Sequence, residues 1–203
     1  MSLRGAALLT IFSQGFAYGL LDTLNKHFQV TLGITRARSS GLQAAYFGAC
    51  PLASLGYADG IMRHVGYKAV FVFGVSLYGI GVLMMWPAGV YQSFGGFCGA
   101  NFIIGSGLGS IKTAANPFIV MYGPPRYAEI RINVSQTLNA VGTIVGPLLG
   151  SYVFFTGTQD TVQALKSVQF VYLGIACFVF MLAGVFFFSS IPEISNADRE
   201  ISN

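Results

Sequence analysis

Asp22, Lys112 and the series Asn133, Gln136, Asn139 are the residues of this chain whose types and places could do chemistry. Asp22 is the acidic residue that falls inside an apolar run. Holding a charge at such depth costs about 2.5–3.5 kcal/mol on insertion scales, so the group reads as a proton or solute site facing a cavity. The bland alternative is an aspartate near the outer end of a helix, reaching water or capping the turn. Lys112 interrupts a second apolar run. The three amides recur every third residue and so share one helical face. A polar face within lipid must look at a cavity or at another helix. Lys/Arg clusters for nucleic acid, metal-ligand spacings, nucleotide loops and catalytic constellations are all missing from the pattern, so the sequence predicts no enzyme, no cofactor and no metal.

The elements that position these residues are membrane helices. Hydrophobic residues make up 54% of the chain and charged ones 9%, against about a quarter charged in soluble domains. Runs of about 20 apolar residues cross a hydrocarbon core. They predict an all-α, single-domain membrane protein over residues 1–203, with six spans near 5–27, 41–58, 69–89, 94–121, 130–155 and 168–191. The first run is too long, and lacks the small-residue cleavage site, for a secretory signal. Pro51 is expected to break the second span, and a loop carrying Asp59, Arg63, His64 and Lys68 to follow it. Gly123-Pro124-Pro125 marks a turn between the fourth and fifth.

Six spans put both termini on one side. With those ends cytoplasmic, Arg4, Arg63, Lys68, Arg126, Arg131 and Arg199 lie inside, and Lys26, Arg36, Arg38 and Lys166 outside. That modest excess agrees with the positive-inside rule, which also accounts for the net charge of +4 without an acidic partner. Cys50, Cys98 and Cys177 all fall in apolar runs and read as small buried residues.

Small residues predict where helices meet. Gly15/Gly19 and Gly142/Gly146/Gly150 have the four-residue spacing that lets backbones approach. Gly15-x-x-x-Gly19-x-Leu21-Asp22-Thr23 parallels Gly105-x-x-x-Gly109-x-Ile111-Lys112-Thr113. Gln43 and Pro51 in the second span parallel Gln136 and Pro147 in the fifth. Three helices repeated with inverted topology give this pattern. It places Asp22 and Lys112 at corresponding sites.

Lys112-Thr-Ala-Ala-Asn-Pro117, Gly123-Pro-Pro125, Arg131-Ile-Asn133 and Gln136-Thr-Leu-Asn139 resemble the signature of the fucose–galactose–glucose:proton symporters, within the major facilitator superfamily. Tyr18-Gly-Leu-Leu-Asp-Thr-Leu-Asn25 is similar to that family's first helix. The order of motifs follows the family along nearly the whole chain, with fungal members the nearer likeness. The resemblance implies a hexose or fucose-like sugar and protons as partners. It implies Asp22 for proton coupling and substrate binding, and Gln136 and Asn139 for hydrogen bonds to sugar hydroxyls. The same amides serve equally as polar glue between helices. It implies a plasma-membrane location. Where the family carries Glu, this chain has Lys112.

The family has twelve spans in two halves with the sugar site between them. Six spans therefore resemble the amino-terminal half of a major facilitator fold, itself a 3+3 inverted repeat. Such a half is expected to work with a second half or as a homodimer, or else to be inactive alone. The alternative is a non-transporting membrane protein, a truncated or sugar-sensing regulatory half. Aquaporin-like channels need two Asn-Pro-Ala boxes, whereas Asn116-Pro117-Phe118 occurs once.

Overall fold

The computed structural model describes residues 15, 19, 35–91, 93–121 and 125–155, with further positions scattered between 173 and 188. Among them there are helices and short turns but no strand. Helix α1 spans Arg36–Ala53 and runs directly into a π-helical turn, Ser54–Ala58, and then α2, Asp59–His64. Helix α3 covers Tyr67–Val90, α4 Phe94–Met121 and α5 Ala128–Phe155. A short 3₁₀ turn, Pro125–Tyr127, leads into α5. Both α3 and α4 are long and apolar enough to cross a membrane. At 1.5 Å per residue, the 28 residues of α4 measure about 42 Å, so the helix must tilt or project beyond a core of about 30 Å.

Two local departures from the sequence pattern have clear causes. The helix does not break at Pro51, and the stretch from Asp59 is not a loop. Proline removes one N–H from the ladder and crowds the carbonyl four residues back, which here disturbs the helix without ending it. Three residues later the ladder widens, and the Asp59 N–H bonds Ser54 O, five residues back. Such π turns are frequently functional. The Ser54 hydroxyl donates to Cys50 O at 2.9 Å. Further on, Arg63 reaches Asp59 at 2.8 Å, the i, i+4 spacing that supports a helical turn. The chain turns only at Val65 and Gly66. Gly66 has φ 103°, a left-handed conformation that glycine adopts without steric penalty, and its N–H bonds back to Ile61 O at 3.2 Å.

Helix α4 is the hub of the packing. Gly105 and Gly109 press on α1: a Cβ at Gly105 would strike Tyr46 O, and one at Gly109 would lie 2.8 Å from Cys50 Cα and O. Gly107 faces α3, where its Cβ would lie 2.6 Å from Tyr78 N. From the other side, a Cβ at Gly74 would lie 3.0 Å from Gly107 O, and one at Gly81 2.8 Å from Ile104 N. Small residues thus let both neighbours approach α4 backbone to backbone. The rest of the core is aromatic and aliphatic. Phe71 meets Phe118 edge to face at 6.1 Å, and Tyr67 lies 6.3 Å from the same ring. Ala176, Val179 and Ala183 add a buried stripe at helical spacing, and Phe180 closes over Gly79.

Helix α5 meets the first helical residues in the same manner. A Cβ on Gly15 would strike the Asn139 carbonyl. One on Gly19 would strike the Thr143 carbonyl and lie 2.6 Å from Pro147 Cδ.

Candidate functional site

The amide stripe of α5 is divided by its surroundings. Ser135, Gly142 and Gly146 are buried, so the helix turns this face inward. Asn133 and Gln136 are exposed and Asn139 is half-buried. The side chains of Asn133 and Gln136 make no hydrogen bond among the described residues, so their donors and acceptors are open to a ligand. Exposed Ile130, Val134, Val141, Ile144, Leu148 and Tyr152 occupy the other outward side. The open surface of α5 is therefore part amide and part apolar. Asn139 sits where Gly15 crosses, and its carbonyl also accepts from Thr143 Oγ1 at 3.0 Å. Asp22 lies outside the described residues.

Lys112 is exposed on α4, between the buried Ile111 and the half-buried Thr113. Its neighbour Thr113 bonds Ser54 of the turn that follows α1, and Gly109, one turn earlier, packs on Cys50. The structure thus places Lys112 near the α1–α4 crossing, and Gln136 and Asn139 on the neighbouring α5.

A polar seam beneath Lys112 had not been singled out from the sequence. Thr113 Oγ1 donates to Ser54 Oγ at 2.8 Å, at the start of the π turn. Ser110 Oγ donates to Tyr57 Oη at 3.2 Å, and Tyr57 Oη to Ser106 O at 3.2 Å. Cys50 Sγ donates to Gly105 O at 3.3 Å. The available signal was spacing. Ser106, Ser110 and Thr113 succeed one another at four- and three-residue steps, one stripe beside Gly105 and Gly109, so they border the surface on which the glycines admit α1. Arg131 was also missed as a structural clamp. Its guanidinium donates to Ile119 O at 2.9 Å and Val120 O at 2.6 Å, satisfying carbonyls that the end of α4 leaves open. Among the described residues, the buried Asn101 Oδ1 and Ser135 Oγ have no hydrogen-bond partner.

The pattern of the Major Facilitator Superfamily matches residues 6–202. A glucose/galactose transporter of Brucella abortus biovar 1 (strain 9-941) is 30% identical over 197 residues, covering 96% of this chain and 48% of the relative. The L-fucose-proton symporter of Escherichia coli (strain K12) is 29% identical over 205 residues, covering 91% of this chain and 46% of the relative. Among solved structures, the Major Facilitator Superfamily transporter FucP in the outward conformation superposes with a TM-score of 0.80 at 26% identity, covering 96% of this chain and 51% of that one. The chain spans about half the length of the curated relatives it matches.

Proposed function

The chain belongs to the Major Facilitator Superfamily, and from that footing we propose that it is the amino-terminal half of a sugar–proton symporter, six spans arranged as a 3+3 inverted repeat. The observation that carries the substrate reading is the open amide surface of α5. Asn133 and Gln136 stand exposed and unbonded on a helix whose remaining outward face is apolar. A hydroxyl-rich solute needs paired donors and acceptors, which amides supply. Relatives named for glucose, galactose and fucose support the same class. Gln136 and Asn139 would hydrogen-bond the sugar, and Asp22 would carry the proton. Transport requires a second bundle to rock against this one, either a carboxyl-terminal half or a second copy. The bundle sits in the plasma membrane with both termini cytoplasmic.

Support for the repeat comes from packing register. Gly15 and Gly19 cross α5 at Asn139 and Thr143, three and seven residues after Gln136. Gly105 and Gly109 cross α1 at Tyr46 and Cys50, three and seven residues after Gln43. Two helix pairs thus share one crossing register.

The test is co-expression with the carboxyl-terminal half of a related symporter, followed by uptake of labelled monosaccharides. Sugar uptake dependent on a proton gradient is expected. Gln136→Ala is expected to raise KM without loss of folded protein, since the exposed amide holds no internal partner. Unchanged uptake in Gln136→Ala and Asn139→Ala would remove the amide surface from the site.

A further inference from the structure

The transport reading leaves one groove unused. It lies where α2 turns into α3 beside the helical residues near Phe187, with a volume of 590 Å³. Ile61, Val65, Ala69, Val72, Phe73 and Phe187 form its apolar walls; Lys68 and Ser76 are its polar side chains. Phe73 and Phe187 are 43% and 61% exposed, so the slot opens on the outer surface of the bundle.

Charge marks one end. Arg63 is matched by Asp59 at 2.8 Å, whereas Lys68 faces no carboxylate among the described residues. Its Nζ instead lies 5.8 Å from the centroid of the Phe187 ring. A cation over an aromatic face keeps its outward side open to an anion. Lys68 is the second residue of α3, and Ser76 lies eight residues further along the helix. That is about 12 Å of apolar slot at 1.5 Å per residue. A peptide laid in it would leave most backbone groups unbonded, because beyond Lys68 at the end the walls offer only the Ser76 hydroxyl. A hydrocarbon chain has no such need.

We propose that this groove holds one anionic membrane phospholipid, an acyl chain lying against Val72 and Phe73 and the phosphate at Lys68. The lipid joins α3 to the helical residues around Phe187. The inference depends on the chain being in a membrane and is independent of the sugar reading.

The test reconstitutes the chain in nanodiscs of phosphatidylcholine mixed with phosphatidylglycerol of the same chain length. Lipids retained after release are counted by native mass spectrometry. One basic residue near a membrane surface supports a preference of about fivefold for the anionic lipid. Lys68→Gln is expected to abolish that preference while the chain still retains phosphatidylcholine; Lys68→Arg is expected to keep it, as is the distant control Arg126→Gln. A phosphatidylglycerol bearing a photoreactive acyl chain is expected to label peptides containing Val72 or Phe187 in the native chain. That measurement stands even where the Lys68→Gln chain fails to fold. Equal retention of both lipids, a preference that survives Lys68→Gln, labelling elsewhere, or cross-linking of Phe187 to a second copy would each overturn the proposal.

Discussion

Gly109→Ala should weaken the bundle, and the structure says by roughly how much. The added methyl would lie 2.8 Å from Cys50 Cα and O, both backbone atoms that cannot swing aside. Ordinary carbon contacts lie at about 3.5–4.0 Å, so α1 and α4 must separate by about 0.7 Å or more. Thr113 Oγ1 and Ser54 Oγ, now 2.8 Å apart, would move to about 3.5 Å, outside hydroxyl bonding range. Overpacking of this kind costs about 1–3 kcal/mol. An interhelical hydrogen bond in a membrane protein adds about 0.6 kcal/mol. Alanine's better helix propensity returns up to about 1 kcal/mol. The net expectation is a loss of about 1–3 kcal/mol.

Gly99→Ala on the same helix is the control. A Cβ there meets nothing within 4 Å, so only the propensity gain remains. Reversible unfolding of both variants in mixed micelles, with denaturing detergent as the perturbant, should separate them by about 2–3 kcal/mol. Equal unfolding midpoints for the two variants would refute the claim that α4 is held against α1 through its glycines.

Arg131→Gln should cost about 1–3 kcal/mol, because it removes two charge-assisted bonds, at 2.9 and 2.6 Å, from a half-buried guanidinium; the same unfolding assay reads it. Arg131→Lys should recover only part, since lysine cannot form the fork. Ser135→Ala should be neutral or stabilising by up to about 1 kcal/mol, because it deletes a buried hydroxyl without a partner; a clear loss of stability would show that Oγ is bonded after all. In a protein completed by a second half, Lys112→Glu should increase sugar-dependent proton uptake if Lys112 shares a cavity with Asp22, because an ammonium there would stabilise the ionised carboxylate and make it a poor proton carrier. Equal coupling by both versions would mean that Lys112 snorkels toward the surface and ignores Asp22.

The all-helical character of the chain was legible because charged residues are rare and apolar runs are long. A close helix crossing was legible at Gly15 and Gly19, since spacing of four marks a surface a neighbour can approach; the same spacing at Gly105 and Gly109 was legible only as part of a repeat. Which neighbour was not legible. Periodicity describes one helix, and Gly107 faces α3 while Gly105 and Gly109 face α1. The extension through Asp59–His64 was missed because its polar residues resemble a loop, although an i, i+4 ion pair supports the turn there. The Ser54–Thr113 seam was missed for a related reason. Each hydroxyl alone looks like an ordinary small residue, and only the crossing brings the two to 2.8 Å. At the candidate site, the sequence grouped Asn133, Gln136 and Asn139 on one face. Their differing exposure depends on where the helix of Gly15 and Gly19 crosses, which no spacing within α5 records.

The two crossings lead to one more expectation, about Asp22. Gly109 packs on Cys50, and Lys112 follows three residues further along α4, beside Thr113, which bonds Ser54. Gly19 packs on Thr143, the position that corresponds to Cys50 when Asn139 is set against Tyr46. If the repeat holds beyond the glycines, Asp22, three residues after Gly19, stands close to Thr143. In a background with Cys50, Cys98 and Cys177 replaced by serine, cysteines at positions 22 and 143 should then be joined by a short bifunctional reagent. The pair 22 and 152 is the control, because Tyr152 lies two and a half turns further along α5. Preferential joining of 22 to 143 would put the Asp22 carboxylate beside the helix that carries the open amides, within reach of a solute held by Gln136. Joining of 22 to 152 instead, or to neither, would separate the proton site from the amide surface, and the shared register would then describe helix packing alone.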